Sequence, residues 1–184
     1  MEKTTNTFPQ QVAAEKNKSH GAQSNVQAIV VNGIVAALYI AVSAVIAPFG
    51  FSQIQFRVSE MFNHLVVFNK KYFFGIILGV FLTNLFFSPM KAYDLIFGVA
   101  QSLLALGITI LCARFVKGIW TRMIVNTVVF TFTMFLIALE LHLAFKLPFL
   151  LTWLTTAVGE FAVMAIGMPI IYYINKSVHF DHIV

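Results

Sequence analysis

Residues 93–115 read YDLIFGVAQSLLALGITILCARF, from Tyr93 to Phe115. No charge interrupts the run between Asp94 and Arg114. A helix needs about 20 predominantly apolar residues to cross the hydrocarbon core of a bilayer, and this run has that length. It therefore reads as a membrane-spanning helix. Working outward, Gln27–Ala47, Met123–Ala144 and Phe149–Asn175 reach the same length. Val58–Phe68 and Tyr72–Phe87 are shorter, and Lys70-Lys71 stands between them. A lysine at mid-bilayer costs about 2.5–3.5 kcal/mol or more, so that pair demands water or headgroups. The two short segments are therefore read as separate helices. The expectation is an all-α membrane protein, a bundle of six transmembrane helices.

Composition supports that class. Of 184 residues, 59% are hydrophobic and 10% are charged. Soluble domains run at about 45–50% apolar and about 25% charged. An ordinary soluble domain, a disordered chain and a disulfide-stapled secreted domain are all excluded. The single cysteine, Cys112, has no partner for an internal disulfide. The sequence pI of about 9.5 follows from membrane topology, because cytoplasmic loops collect Lys and Arg. With both termini inside, the inner segments hold Lys3, Lys16, Lys18, Lys70, Lys71, Arg114, Lys117, Arg122 and Lys176, most of the 12 basic residues. Arg57, Lys91 and Lys146 fall outside. Pro48, Pro89 and Pro148 also fall in the outer loops, where fixed φ angles stiffen the chain. Three regions result. Residues 1–26 form a polar cytoplasmic tail, 27–175 the six-helix domain, and 176–184 a short cytoplasmic tail.

The acidic residues carry the functional signal. Glu60, Asp94, Glu140 and Glu160 lie within or beside the apolar segments. Intramembrane carboxylates are expensive and face a cavity or a partner. Glu60 has Arg57 three residues earlier on the same helical face, which reads as an internal ion pair. Asp94 begins a segment, where an acid favours the helix N-terminus. Glu140 and Glu160 have no basic residue within one turn and read as ligand contacts. Their implied ligand is a cation or a molecule rich in hydrogen-bond donors. Tyr93 and Trp153 serve as interfacial anchors or stack on a planar ligand. Gly33, Ala37 and Ala41 recur every four residues on the first helix, a strip that lets another helix approach closely. That helix belongs either to this chain or to another membrane subunit. No Gly-rich phosphate loop, zinc motif or nucleophile set is present. No metal site or cofactor is expected, and His179 and His182 read as a solvated tail.

The stretch Phe49-Gly-Phe-Ser-Gln-Ile-Gln-Phe-Arg57-Val-Ser-Glu60 resembles the first-loop signature of the QueT family, substrate-binding (S) components of energy-coupling factor (ECF) transporters. The resemblance continues through Gly79-Val-Phe-Leu-Thr-Asn84-Leu-Phe-Phe-Ser-Pro89, Tyr93-Asp94-Leu-Ile-Phe-Gly98, Leu139-Glu140 and Val158-Gly159-Glu160. It implies a six-helix S component in the bacterial plasma membrane that does no chemistry. Its implied substrate is a queuosine precursor, a 7-deazaguanine such as 7-aminomethyl-7-deazaguanine (preQ1), captured from outside. Its implied partners are a transmembrane coupling subunit, which Ala37-Leu-Tyr-Ile-Ala41 would contact, and two cytoplasmic ATPases. Nucleic acid is not a partner.

On this resemblance, Glu140 and Glu160 divide the guanine edge and the aminomethyl cation. Gln55, Asn84 and Gln101 serve the carbonyl or ring nitrogens. Tyr93 and Trp153 offer stacking faces, and Arg57, Glu60 and Asp94 complete the substrate-binding set. Two alternatives stand beside this reading. One is an S component for another small vitamin, and the other a stand-alone proton-coupled carrier using Glu140 or Glu160 as relay. A membrane enzyme ranks third.

Overall fold

The computed structural model describes the backbone of residues 8–50 and 56–183, and the side chains of residues 25–46 and 56–183. A chain in lipid must satisfy its backbone polar groups internally, and helices do so within one segment. The described residues accordingly form helices joined by short turns, without strands. Helix α1 covers Phe8–Gly50, so it runs back through the polar N-terminal stretch. The chain continues through a 3₁₀ turn, Val58–His64, into the one-turn helix α2, Leu65–Phe68. A second 3₁₀ turn, Lys70–Tyr72, leads into α3, Phe73–Phe87. Then follow α4 (Ala92–Cys112), α5 (Ile119–Thr133), α6 (Phe135–Phe145), α7 (Phe149–Val178) and the one-turn α8 (Phe180–Ile183).

Five stretches are long and apolar enough to cross a membrane. They are Asn25–Ile46, Lys70–Phe87, Ala92–Cys112, Ile119–Phe145 and Phe149–Val178. The segment Val58–Phe68 is not among them. Seven of its residues are in 3₁₀ conformation and four in α, giving about 20 Å at 2.0 and 1.5 Å per residue. The hydrocarbon core is about 30 Å thick. This segment lies inside the protein instead. Ser59, Glu60, Asn63, His64, Leu65, Val66 and Val67 are all buried. It packs between α1 and α7 and so closes a ring that α1, α3, α4, α5 and α7 leave open.

The bundle is more polar within than without. Its buried set includes Thr83, Asn84, Gln101, Ser102, Asn126 and four carboxylic acids. Its exposed set includes Leu104, Leu111, Ile124, Phe132, Leu154 and Phe161. An apolar exterior around a polar interior suits a lipid solvent.

Small residues set the closest helix contacts. Asn32 on α1 accepts a hydrogen bond from the Gly75 backbone N–H at 2.7 Å and so satisfies one of the orphan donors at the start of α3. One turn on, a Cβ placed on Gly79 would stand 2.8 Å from Tyr39 Cβ. Gly79→Leu is therefore expected to lower the unfolding midpoint in detergent, by about 1–3 kcal/mol of overpacking. Gly107 has no neighbour within 4 Å of an added Cβ. Gly107→Leu should leave the midpoint no lower, and equal losses from the two would refute this packing account. Met61 of the short segment takes the same kind of room above Gly167 on α7. Helix α7 continues through Pro169 without interruption.

Candidate functional site

Arg57 caps the 3₁₀ turn Val58–His64. Its Nη2 donates to Asp94 Oδ1 at 2.9 Å, with side-chain exposures of 10% and 1%. The other Asp94 oxygen accepts from Ser88 Oγ. Asp94 lies in the first turn of α4, but the N-cap position belongs to Lys91, which makes no side-chain cap. The carboxylate thus works as the partner of Arg57 as well as an acid near a helix N-terminus. Asn84 Nδ2 holds the same turn by donating to the Asp94 main-chain oxygen at 2.9 Å.

Glu60 sits one turn into the short segment. Its Oε1 accepts from the Tyr39 hydroxyl at 2.9 Å, and its Oε2 accepts from Asn63 Nδ2. Ser43 Oγ donates to Ser59 Oγ at 2.7 Å, which ties the segment to α1 a second time. A cavity of about 20 Å³, lined by Tyr39, Ser43, Arg57, Ser59, Thr83 and Asn84 among others, opens between these groups. That is room for about one water.

Glu140 on α6 and Glu160 on α7 differ from both. Each is fully buried or nearly so, at 0% and 1% exposure. Among the described residues no amide, hydroxyl or cationic group bonds to either oxygen of Glu140, whose close polar neighbour is the Asp94 carboxyl, and Oε1 of Glu160 has no partner. Glu140 neighbours the Asp94 carboxyl, and Glu160 neighbours that of Glu60. Arg57 is within electrostatic reach of Asp94, Glu60, Glu140 and Glu160. The fold therefore gathers four carboxyls from four separate elements around one guanidinium. A buried charge without partners is destabilising by several kcal/mol. Open carboxyl oxygens in such a cluster can accept hydrogen bonds or positive charge.

The remaining candidates are placed as follows. Gln101 is buried. Its amide donates to Thr133 Oγ1 at 3.1 Å and accepts from Ser102 Oγ at 3.3 Å. Tyr93 is 43% exposed. Trp153 donates its indole N–H to the Phe132 oxygen at 3.1 Å and packs against the rings of Phe132, Phe135 and Phe149. It lines an apolar groove of about 550 Å³ with Leu150, Leu154 and Phe161. Gln55 lies outside the described residues. Gly33, Ala37 and Ala41 are exposed along α1, and an added Cβ on Gly33 would meet nothing within 4 Å. Among the described residues nothing packs on Gly33, and it is Gly75 and Gly79 of α3 that meet α1.

Sequence reasoning missed Tyr39, Asn63 and Ser88, the donors that satisfy Glu60 and Asp94. Asn63 was within sight, three residues after Glu60 on a helical face. Tyr39 was not, because its partner lies 21 residues away. A second polar network, His64 with the Met164 oxygen at 3.0 Å and Asn126 at 3.2 Å, extends to Thr109. It joins the short segment to α4, α5 and α7.

Comparison with known proteins gives two matches. The family model described as QueT transporter matches residues 29–176. A relative from Lactococcus lactis subsp. cremoris (strain MG1363), the queuosine precursor transporter QueT, is 37% identical over 159 residues, covering 82% of this chain and 93% of the relative. No solved structure matches the chain. The family match spans the acids, the Arg57–Asp94 pair and all or most of each membrane-length stretch. The chain belongs to the QueT transporter family: it is a multi-pass transport protein of the cell membrane and not an enzyme.

Proposed function

We propose that the protein captures a queuosine precursor, a 7-deazaguanine such as preQ1, from outside the cell as the S component of an ECF importer. The observation that carries this reading is the pair of buried acids with open oxygens, Glu140 and Glu160. A guanine edge presents an N–H and an adjacent NH₂ as parallel donors, which one carboxylate accepts in a bidentate pair. Glu140, with both oxygens open, suits that edge. The aminomethyl group is a cation near neutral pH. Glu160, with one open oxygen beside Glu60, suits the ammonium. The queuosine precursor named for the Lactococcus lactis relative fits this chemistry.

The bundle is oriented with both termini in the cytoplasm, which follows from the basic residues gathered at one end. The carboxylates then open outward. The buried segment Val58–Phe68 counts as the sixth wall of the S component. The chain has no nucleotide motif, so transport energy comes from two ATPases through a membrane coupling subunit. The open strip Gly33, Ala37 and Ala41 is where that subunit docks, because small residues allow close helix approach.

Titration of the purified protein with preQ1 and its uncharged nitrile precursor tests the division of labour. Glu160→Gln is expected to weaken preQ1 and spare the nitrile. Glu140→Gln is expected to weaken both. Parent-like affinity for both ligands in both variants would overturn the assignment. Uptake by this chain without partners, abolished by an uncoupler and insensitive to ATP depletion, would favour the proton-coupled carrier instead.

A further inference from the structure

The end of α4 away from Asp94 has its own cavity, of about 350 Å³. Asp94 and Arg114 are separated by about 30 Å at 1.5 Å per helical residue, so this cavity and the carboxylates occupy opposite ends of the bundle. Its lining combines Lys70, Arg114 and Arg122 with the apolar Val66, Phe68 and Ile110. Lys70 comes from the turn before α3, Arg114 from the α4–α5 connection and Arg122 from the first turn of α5. Among the described residues the ion pairs are Arg57 with Asp94 and His182 with Asp181. None of the three cations therefore meets a carboxylate there. Arg122 is also held in place. Its Nε donates to the Val116 oxygen at 2.9 Å, across a turn that Gly118 makes possible at φ +89°. An anchored guanidinium presents its terminal NH₂ groups as a fork suited to phosphate oxygens.

We infer that this cavity binds a phosphate ester, and that its natural occupant is the headgroup of an anionic membrane phospholipid. Three cations around one cavity, none of them paired with a carboxylate among the described residues, account for the phosphate. Val66, Phe68 and Ile110 account for the rest, since a free phosphate ion has no use for an apolar wall and an acyl chain does. The position agrees, because basic pockets between membrane helices at the cytoplasmic side are suited to anionic headgroups. This site is independent of the carboxylates and of whatever they bind.

The test uses the full chain purified in neutral detergent, with phosphatidylglycerol and inorganic phosphate as separate probes. Native mass spectrometry counts bound lipid, and thermal unfolding reports stabilisation. The parent is expected to retain phosphatidylglycerol and to melt higher in its presence. Lys70→Gln with Arg114→Gln is expected to weaken binding about 25-fold, near five-fold for each cation. Neither residue is needed to hold the turn, so this variant should fold. Lys117→Gln, in the same connection but outside the cavity, should bind as the parent does. Phosphate binding with the same variant dependence, and no phosphatidylglycerol binding, would keep the site and overturn the lipid. An equal loss from Lys117→Gln would reduce the effect to diffuse surface charge and overturn the site. So would binding of neither probe.

Discussion

Glu140→Gln should lose ligand binding while leaving the protein at least as stable as the parent. The two effects have one cause. Glu140 is fully buried, and neither of its oxygens has a donor within the protein. Its neighbour is another acid, Asp94. In the empty protein this group contributes desolvation cost and repulsion from Asp94, offset only by the contact the two carboxyls share. An amide of the same shape removes the repulsion and offers an N–H to Asp94. Binding moves the other way, because the guanine edge loses the carboxylate that accepts both its donors. A hydrogen bond to a charged group contributes about 1.5–3 kcal/mol, at least about 10-fold in Kd. Calorimetric titration and thermal unfolding of the same sample check both halves. A variant that binds normally, or one that loses binding because it no longer folds, would refute the argument.

Arg57→Leu should have the largest effect on stability. Asp94 is 1% exposed and depends on Arg57 at 2.9 Å. Glu60, Glu140 and Glu160 lie within the same field. Removing the guanidinium leaves buried acids without their cation, a loss of about 3–5 kcal/mol. Arg57→Leu combined with Asp94→Asn should recover a large part of it, since the orphaned charge is gone. A double-mutant cycle on the unfolding midpoint measures the coupling. If the double variant loses the sum of the two single losses, the pair is not the source of the stability.

The long helices were legible in the sequence because lipid imposes length and hydropathy on them. The stretch read as Tyr93–Phe115 folds as Ala92–Cys112, and that read as Phe149–Asn175 as Phe149–Val178. Two features were not legible. Met123–Ala144 reads as one helix, and Ile119–Phe145 is one membrane-length stretch; what spacing does not show is the one-residue irregularity at Met134 that divides it into α5 and α6. Beside that point the Thr133 hydroxyl donates to the Phe130 oxygen at 3.0 Å within α5 and accepts from Gln101 of α4, a bond that spacing along one helix cannot show. Val58–Phe68 reads as a membrane helix by hydropathy but folds largely as 3₁₀ turns. There, contacts with α1 and α7 decide the conformation and hydropathy does not. The site divides similarly. Helical spacing marks Arg57 and Glu60 as neighbours. It cannot reveal that Arg57 pairs with Asp94, 37 residues further on. The unpaired state of Glu140 was legible, because no base lies within one turn of it.

The short segment also bears on how the protein is made. Inserting Arg57, Glu60 and His64 into lipid alone is unfavourable, because a single charge at mid-bilayer already outweighs several apolar residues. Helices α1 and α3 have the length and hydropathy to partition into the bilayer during synthesis. The segment between them has neither. Tyr39 of α1, Asp94 of α4 and the Met164 oxygen of α7 supply its hydrogen bonds. Its entry must therefore wait until α7 has left the ribosome. The wall carrying Glu60 is thus complete only when α7 is in place.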